Sequence, residues 1–85
     1  MDATVLGKEV DAWFERERLI VELDGYSFHR SRESFRSDRE RDAQMLLHGI
    51  ATIRVTWDRI ASPVMTQREA DRLGAMLAQR RSDAA

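Results

Sequence analysis

Two carboxylates interrupt an apolar stretch in the first third of the chain. In "LIVELDGYSFH", Leu19 to His29, the residues Leu19, Ile20, Val21 and Leu23 read as a strand. Glu22 and Asp24 break that run, and Gly25 stops it. Burying an ionised carboxylate is costly unless a partner compensates it. A third acid, Asp11, lies just upstream in "EVDAWF". If "ERER" at 15–18 is a hairpin loop, Phe14 faces Leu19 and each facing pair of residue numbers sums to 33. Asp11 then sits opposite Glu22, and Glu9 opposite Asp24. The four acids share one side of the hairpin, together with Trp13 and Ile20. Like charges on directly opposite positions, about 4.5–5.5 Å apart at Cβ, repel.

Three arrangements relieve that repulsion. The face is solvated, as one side of an antiparallel sheet often is. Alternatively, Arg41 or its neighbours form salt bridges to it. The third is a hard divalent cation held by oxygen. Magnesium, or manganese in its place, needs only one or two carboxylates, keeps waters, and lets a substrate phosphate complete its shell. Such an ion activates water and stabilises charge on a phosphate. His29 follows closely enough to act as a general acid or base, or to hydrogen-bond a phosphate; an ordinary loop histidine fits equally well. His48 ends a helix and complements its dipole. Asp38 and Arg41 are spaced as an intrahelical pair. Trp13 and Trp57 read as core or sheet packing.

The elements that position these groups follow from periodicity. Thr4 opens a short extended segment. From Glu9 to Phe14 the alternation puts Val10, Ala12 and Phe14 on one face. Leu19 to Asp24 is the next strand. A helix runs from about Arg32 to His48, with Phe35, Ala43, Leu46 and Leu47 as apolar contacts and Gly49 at the stop position. "IATIRVTW", Ile50 to Trp57, is β-branched and aromatic, hence a strand. "DRIASP" is a turn. A closing helix follows, capped by Thr66 with Glu69 completing a capping box; its stripe is Leu73, Met76 and Leu77. "SDAA" is expected to fray. The order is strand, strand, strand, helix, strand, helix, an α/β pattern.

The chain has 85 residues, one small domain spanning 1–85 with a thin core. Cysteine is absent, which excludes disulfides and thiolate metal sites and fits a reducing cytoplasm. No apolar run approaches the roughly 18 residues of a membrane span, and the N-terminus lacks the pattern of a secretory signal. Of the 14 basic residues all but Lys8 are arginine, a planar fork suited to phosphates and carboxylates. Arg30, Arg32, Arg36, Arg39 and Arg41 cluster after the acidic strand, but Glu33, Asp38, Glu40 and Asp42 are interleaved with them. Unaided, that run reads as a solvated helix face.

Taken in order, "EVDAWF", "RLIVELDGYSFH" and "SFRSDRERDAQMLLHGIATIRVTW" resemble the domain-of-unknown-function 559 family. Those domains are similar to very-short-patch-repair endonucleases, which act in DNA repair. The resemblance covers Gly7 to Trp57 and fits a closing helix. It implies a restriction-endonuclease-like three-layer core, a mixed sheet of about four strands flanked by helices. It also implies a P-D…(D/E)-x-K type site and magnesium-dependent hydrolysis of a DNA phosphodiester. Asp11 matches the first metal-binding acid and Glu22 the second, with Asp24 where the superfamily pattern has lysine. His29 matches the histidine that assists at the phosphate. Asp38, Arg41 and Asp42 match the helix motif, with Arg30, Arg32 and Arg41 as DNA contacts. E-x-D is itself a frequent form in this family. The helix that usually opens such domains is lacking, which implies a truncated domain or cover from a second copy or a partner chain. The same features fit a catalytically inactive module for DNA binding or protein association, of toxin–antitoxin or phage-defence type.

Overall fold

The computed structural model describes residues 3–24 and 32–84. His29 and Arg30 lie outside the described residues, and for Asp24 and Arg32 the description extends to the backbone only. The architecture is α/β. Strands β1 (Ala3–Val5) and β2 (Lys8–Val10) form an antiparallel hairpin. Strands β3 (Ala12–Phe14), β4 (Leu19–Asp24) and β5 (Ala51–Thr56) form a second sheet in the order β3-β4-β5. Helix α1 (Arg32–Leu47) joins β4 to β5, which are parallel and therefore need a long crossover. A short 3-10 turn (Trp57–Ile60) leads to α2 (Pro63–Ala84).

The register of β3 on β4 follows the expected sum: Ala12 faces Val21, Trp13 faces Ile20 and Phe14 faces Leu19. It holds only that far. The expected strand from Glu9 to Phe14 is broken at Asp11, and Glu9 pairs with Thr4 in the other sheet, not with Asp24. The break reverses the parity, so Val10 joins the cluster that contains Ile20, with Trp13 packed against it. Glu9 is turned out of the acidic face. The sheet expected to be continuous is thus two small ones.

Side chains of one parity, Val5, Val10, Ile20, Met45 and Ile50, make the core beneath α1. Ile20 and Ile50 are each 1% exposed. The other parity, Leu19, Ala51 and Ile53, faces α2 across a groove of about 390 Å³ that Met76 and Ala75 also line. One helix therefore covers each face of the sheet.

Helix α1 ends as its glycine predicts. Gly49 has φ +74°. Its N–H donates to Leu46 O at 2.9 Å, and Ile50 N–H donates to Met45 O at 3.0 Å. This is a Schellman turn, and Met45 and Ile50 make its hydrophobic contact. The expected apolar contacts of α1 are corrected. Phe35, Ala43, Leu46 and Leu47 lie outside, Leu47 80% exposed, because α1 turns Asp38, Arg41, Asp42 and Met45 to the sheet instead. Trp57 is likewise 57% exposed rather than packed.

Helix α2 begins one turn earlier than expected. Pro63 takes the first helical position, where its missing N–H costs nothing. The Ser62 hydroxyl accepts from Met65 N–H at 3.2 Å, so Ser62 is the cap. Thr66 donates to Ser62 O at 2.9 Å, and Glu69 pairs with Arg59 and Arg72 rather than closing a capping box. Ser82 and Asp83 are helical, not frayed.

The far end of α2 is pinned by arginine. Arg80 donates to Glu17 O at 2.6 Å and to Gly49 O at 3.1 Å. Two Arg81 N–H groups converge on Glu17 Oε2 at 3.0 and 2.7 Å. Arg18 donates to His48 O at 2.8 Å, so guanidinium groups satisfy the two carbonyls that follow α1. No helix among the described residues is long and apolar enough to cross a membrane.

Two substitutions separate backbone from packing at the α1 stop. A Cβ at Gly49 would meet nothing within 4 Å, so Gly49→Ala carries only the left-handed backbone cost, about 1–2 kcal/mol. Met45→Ala opens the core and is expected to cost about 2–5 kcal/mol, lowering Tm by roughly 10 °C or more. Urea denaturation of both variants checks the ranking.

The Arg81 guanidinium holds the Glu17 carboxyl below its ordinary value of 4.5. Its folded value is depressed, so the stability it contributes is present above pH 4.5 and is lost as pH falls through the lowered value. Arg81→Ala is expected to lower Tm by a few degrees at neutral pH and to flatten its fall in acid. Thermal melts from pH 7 down to 3 read this directly; an unchanged acid limb would contradict it.

Candidate functional site

The site is built at the bend between the two sheets. Asp11 occupies the single position between β2 and β3. Its Oδ2 accepts a hydrogen bond from Leu23 N–H at 2.8 Å, where a continued β3 ladder would otherwise run. A side chain thereby takes over a backbone donor. Asp11 is held against β4 at the level of Glu22, as the register of β3 anticipates.

Glu22 projects from β4 on the parity of Ile20, toward α1. Its side chain is 15% exposed, and its Oε1 is buried with no hydrogen-bond partner among the described residues. Arg41 of α1 is the nearest compensating charge, with Nη2 at 3.6 Å from Oε1. That is too long for a hydrogen bond. The Arg41 hydrogen bond goes instead to Glu9 O, at 2.8 Å. A unit pair at that separation attracts by about 4–5 kcal/mol at an effective dielectric constant near 20, and loss of hydration offsets much of this.

The balance is visible in the ionisation of Glu22. Burial pushes its carboxyl above the ordinary value of 4.5, and the negative charge of Asp11 pushes it further. The Arg41 charge, the Asp11 backbone N–H and the Arg54 charge oppose this without cancelling it. The pair is therefore under-compensated as it stands.

A second polar group ties α1 to β5. Arg54 donates to Asp42 Oδ1 at 2.8 Å and to Asp42 Oδ2 at 3.3 Å, a bidentate fork. Asp38 lies 3.8 Å from another nitrogen of the same guanidinium. Arg54 is also the register partner of Glu22 in the parallel ladder. Asp38 and Asp42 thus support the site by fixing α1 over the sheet. Arg54 was detectable in advance: it interrupts "IATIRVTW" as Glu22 interrupts "LIVELD", and aligning the two parallel strands sets them side by side.

Of the expected site residues, Asp11, Glu22 and Arg41 are brought together, and Asp38 and Asp42 stand behind them. Asp24 follows in β4, opposite Thr56. Arg41, expected as a DNA contact, is turned inward to Glu9 O and Glu22. No group of three or more metal-ligating side chains is found among the described residues.

Because the folded value of Glu22 is raised, ionising it works against the fold. Stability is expected to decrease as pH rises from 4.5 through the raised value, then to level off. Glu22→Gln removes the ionisation and leaves the Arg41 bond to Glu9 O intact. Its Tm is expected to exceed the wild-type value at pH 8 and to match it more closely at pH 4.5. A wild-type Tm that is higher at pH 8 than that of Glu22→Gln would refute this account of the pair.

Comparison of the chain with family models, with curated proteins and with solved structures finds no match.

Proposed function

We propose that the chain is a metal-dependent DNA endonuclease domain that hydrolyses phosphodiester bonds, with Asp11 and Glu22 as its metal-binding acids. The observation that carries this reading is the Glu22 Oε1 atom, buried without a hydrogen-bond partner among the described residues and beside a second carboxylate. An orphaned carboxylate oxygen costs stability unless a ligand supplies the missing charge. The donor set fits magnesium or manganese, hard cations that take one or two carboxylates and leave their remaining positions to water and phosphate. When bound, such a cation supplies water activation and charge stabilisation at the phosphate. Within the proposal, Asp11 keeps one oxygen on Leu23 N–H and so holds its place while the other serves the cation. Asp24 joins the pair or orients water, and His29 assists at the phosphate by the family resemblance. Arg30 and Arg32 contact the DNA backbone, with affinity that falls steeply with salt. The absence of cysteine suits a cytoplasmic setting. The uncovered Phe35, Leu46 and Leu47 side chains favour a second copy or partner chain against α1.

One observation favours a second reading. Arg41 already stands 3.6 Å from Glu22, so the pair has a partial internal counter-charge. A catalytically inactive module that binds DNA or another protein would keep this arrangement without a cation.

Supercoiled and mismatched plasmid incubated with magnesium or manganese separates the two. Nicking by wild type, lost by at least about 100-fold in Glu22→Ala, is the expected result. A folded protein that binds DNA in a salt-sensitive way without cleaving either substrate would replace the endonuclease with the module.

A further inference from the structure

Arg41 holds two partners unequally. Its Nη2 donates to Glu9 O at 2.8 Å and reaches Glu22 Oε1 only at 3.6 Å. The Arg41 side chain is 28% exposed and also lines a groove of about 440 Å³ between the β1–β2 hairpin and α1. Ser37, Glu40 and Gln44 line that groove as well, and each offers a polar atom to a guanidinium. The arginine therefore has one imperfect position on the acid pair and an open groove beside it, in which these acceptors stand among Leu6, Lys8 and Met45.

We infer that Arg41 is a tethered counter-cation that competes with the divalent ion for Glu22, so that ion binding drives its guanidinium off the acid pair into the groove beside α1. This rests on the cation reading of the site and adds its regulation. The physical grounds are charge and geometry. A divalent ion places twice the charge at about 2.0–2.1 Å from a carboxylate oxygen, where Arg41 places one charge at 3.6 Å without a hydrogen bond. Two cations this close repel, so the occupancy of one raises the energy of the other. Arginine cannot relieve the conflict by losing its proton; it has to move. Once released it presents its planar fork to a phosphate, which makes phosphate binding at Arg41 conditional on the ion. In the ion-free protein the same residue is a positioning residue, holding α1 against the β2 carbonyl.

Linkage makes the idea measurable without cleavage. Removing the competitor has to tighten ion binding, by a factor within the roughly 5- to 150-fold range of coupled sites. Manganese is titrated into the full chain by calorimetry and by electron paramagnetic resonance, for wild type, Arg41→Gln and Glu22→Gln. In Arg41→Gln the Arg54 fork on Asp42 still ties α1 to the sheet. It is expected to bind manganese at least about fivefold more tightly than wild type, while Glu22→Gln loses binding. In parallel, phenylglyoxal labelling of Arg41 in wild type, read by mass spectrometry, is expected to rise when manganese is added. That measurement decides the matter if Arg41→Gln does not fold. Equal or weaker binding by Arg41→Gln, or labelling unchanged at saturating manganese, overturns the competition and leaves the cation reading standing. Absence of manganese binding by every folded form overturns both.

Discussion

The structure depends on one hydrogen bond made by a side chain where a strand ladder stops. Asp11 Oδ2 takes the Leu23 N–H at 2.8 Å, and this lets the chain bend between β2 and β3 without leaving that β4 donor unsatisfied. The bend reverses parity. Without it, Val10 and Ile20 would lie on opposite faces, and the cluster of Val5, Val10, Ile20, Met45 and Ile50 could not close. The same bond fixes a carboxylate beside Glu22. Fold and candidate site therefore share an atom, so Asp11→Ala removes a structural acceptor as well as a carboxylate of the candidate site. Glu22, whose Oε1 accepts no hydrogen bond among the described residues, is the cleaner probe of chemistry.

A small domain has little apolar area to spend, and α1 shows how this chain manages. Its inward face carries one fully buried apolar side chain, Met45, and otherwise Asp38, Arg41 and Asp42. The helix is held over the sheet by the Arg54 fork and by the Arg41 bond to Glu9 O, with the two carbonyls that follow it closed by Arg18 and Arg80. Arginine suits this use because its donors point in several fixed directions and can join carbonyls and carboxylates from different elements. The abundance of arginine, which composition alone relates to phosphates and carboxylates, has a structural share at Arg18, Arg41, Arg54, Arg80 and Arg81.

What was legible in the sequence was local or repeated. The hairpin register followed from the loop at 15–18, the crossover helix from its breakers, and the helix stop from Gly49, because each depends on a few neighbouring residues. The acid pair of Asp11 and Glu22 followed from the same register. Two kinds of feature escaped. The inward face of α1 did, since its most apolar positions, Phe35, Leu46 and Leu47, are the ones left outside. Periodicity assumes that the greasiest face is buried, and a polar interface defeats it. The anchoring of α2 also escaped, because Arg80 and Arg81 meet Glu17 across 63 and 64 residues and no local signal connects them. The pairing of Glu9 with Asp24 failed for a third reason: alternation was carried through Asp11, where a bend resets it.

These features bear on why the site tolerates strain. The sheet end that carries Glu22 also carries Leu23 and leads through Thr56 to the exposed Trp57, so it is the less covered end of the fold. The opposite end is closed by the Schellman turn, the 15–18 loop and the arginines of α2. The hydrogen bonds at that end stabilise a fold that carries an under-compensated carboxylate pair at the other, and a protein of this size has only a few kcal/mol to spare for such a pair. Placing a half-buried Glu22 beside Asp11, when a neutral glutamine would fit the same space at lower electrostatic cost, is difficult to explain by stability alone. It is readily explained if the missing charge is meant to arrive from outside.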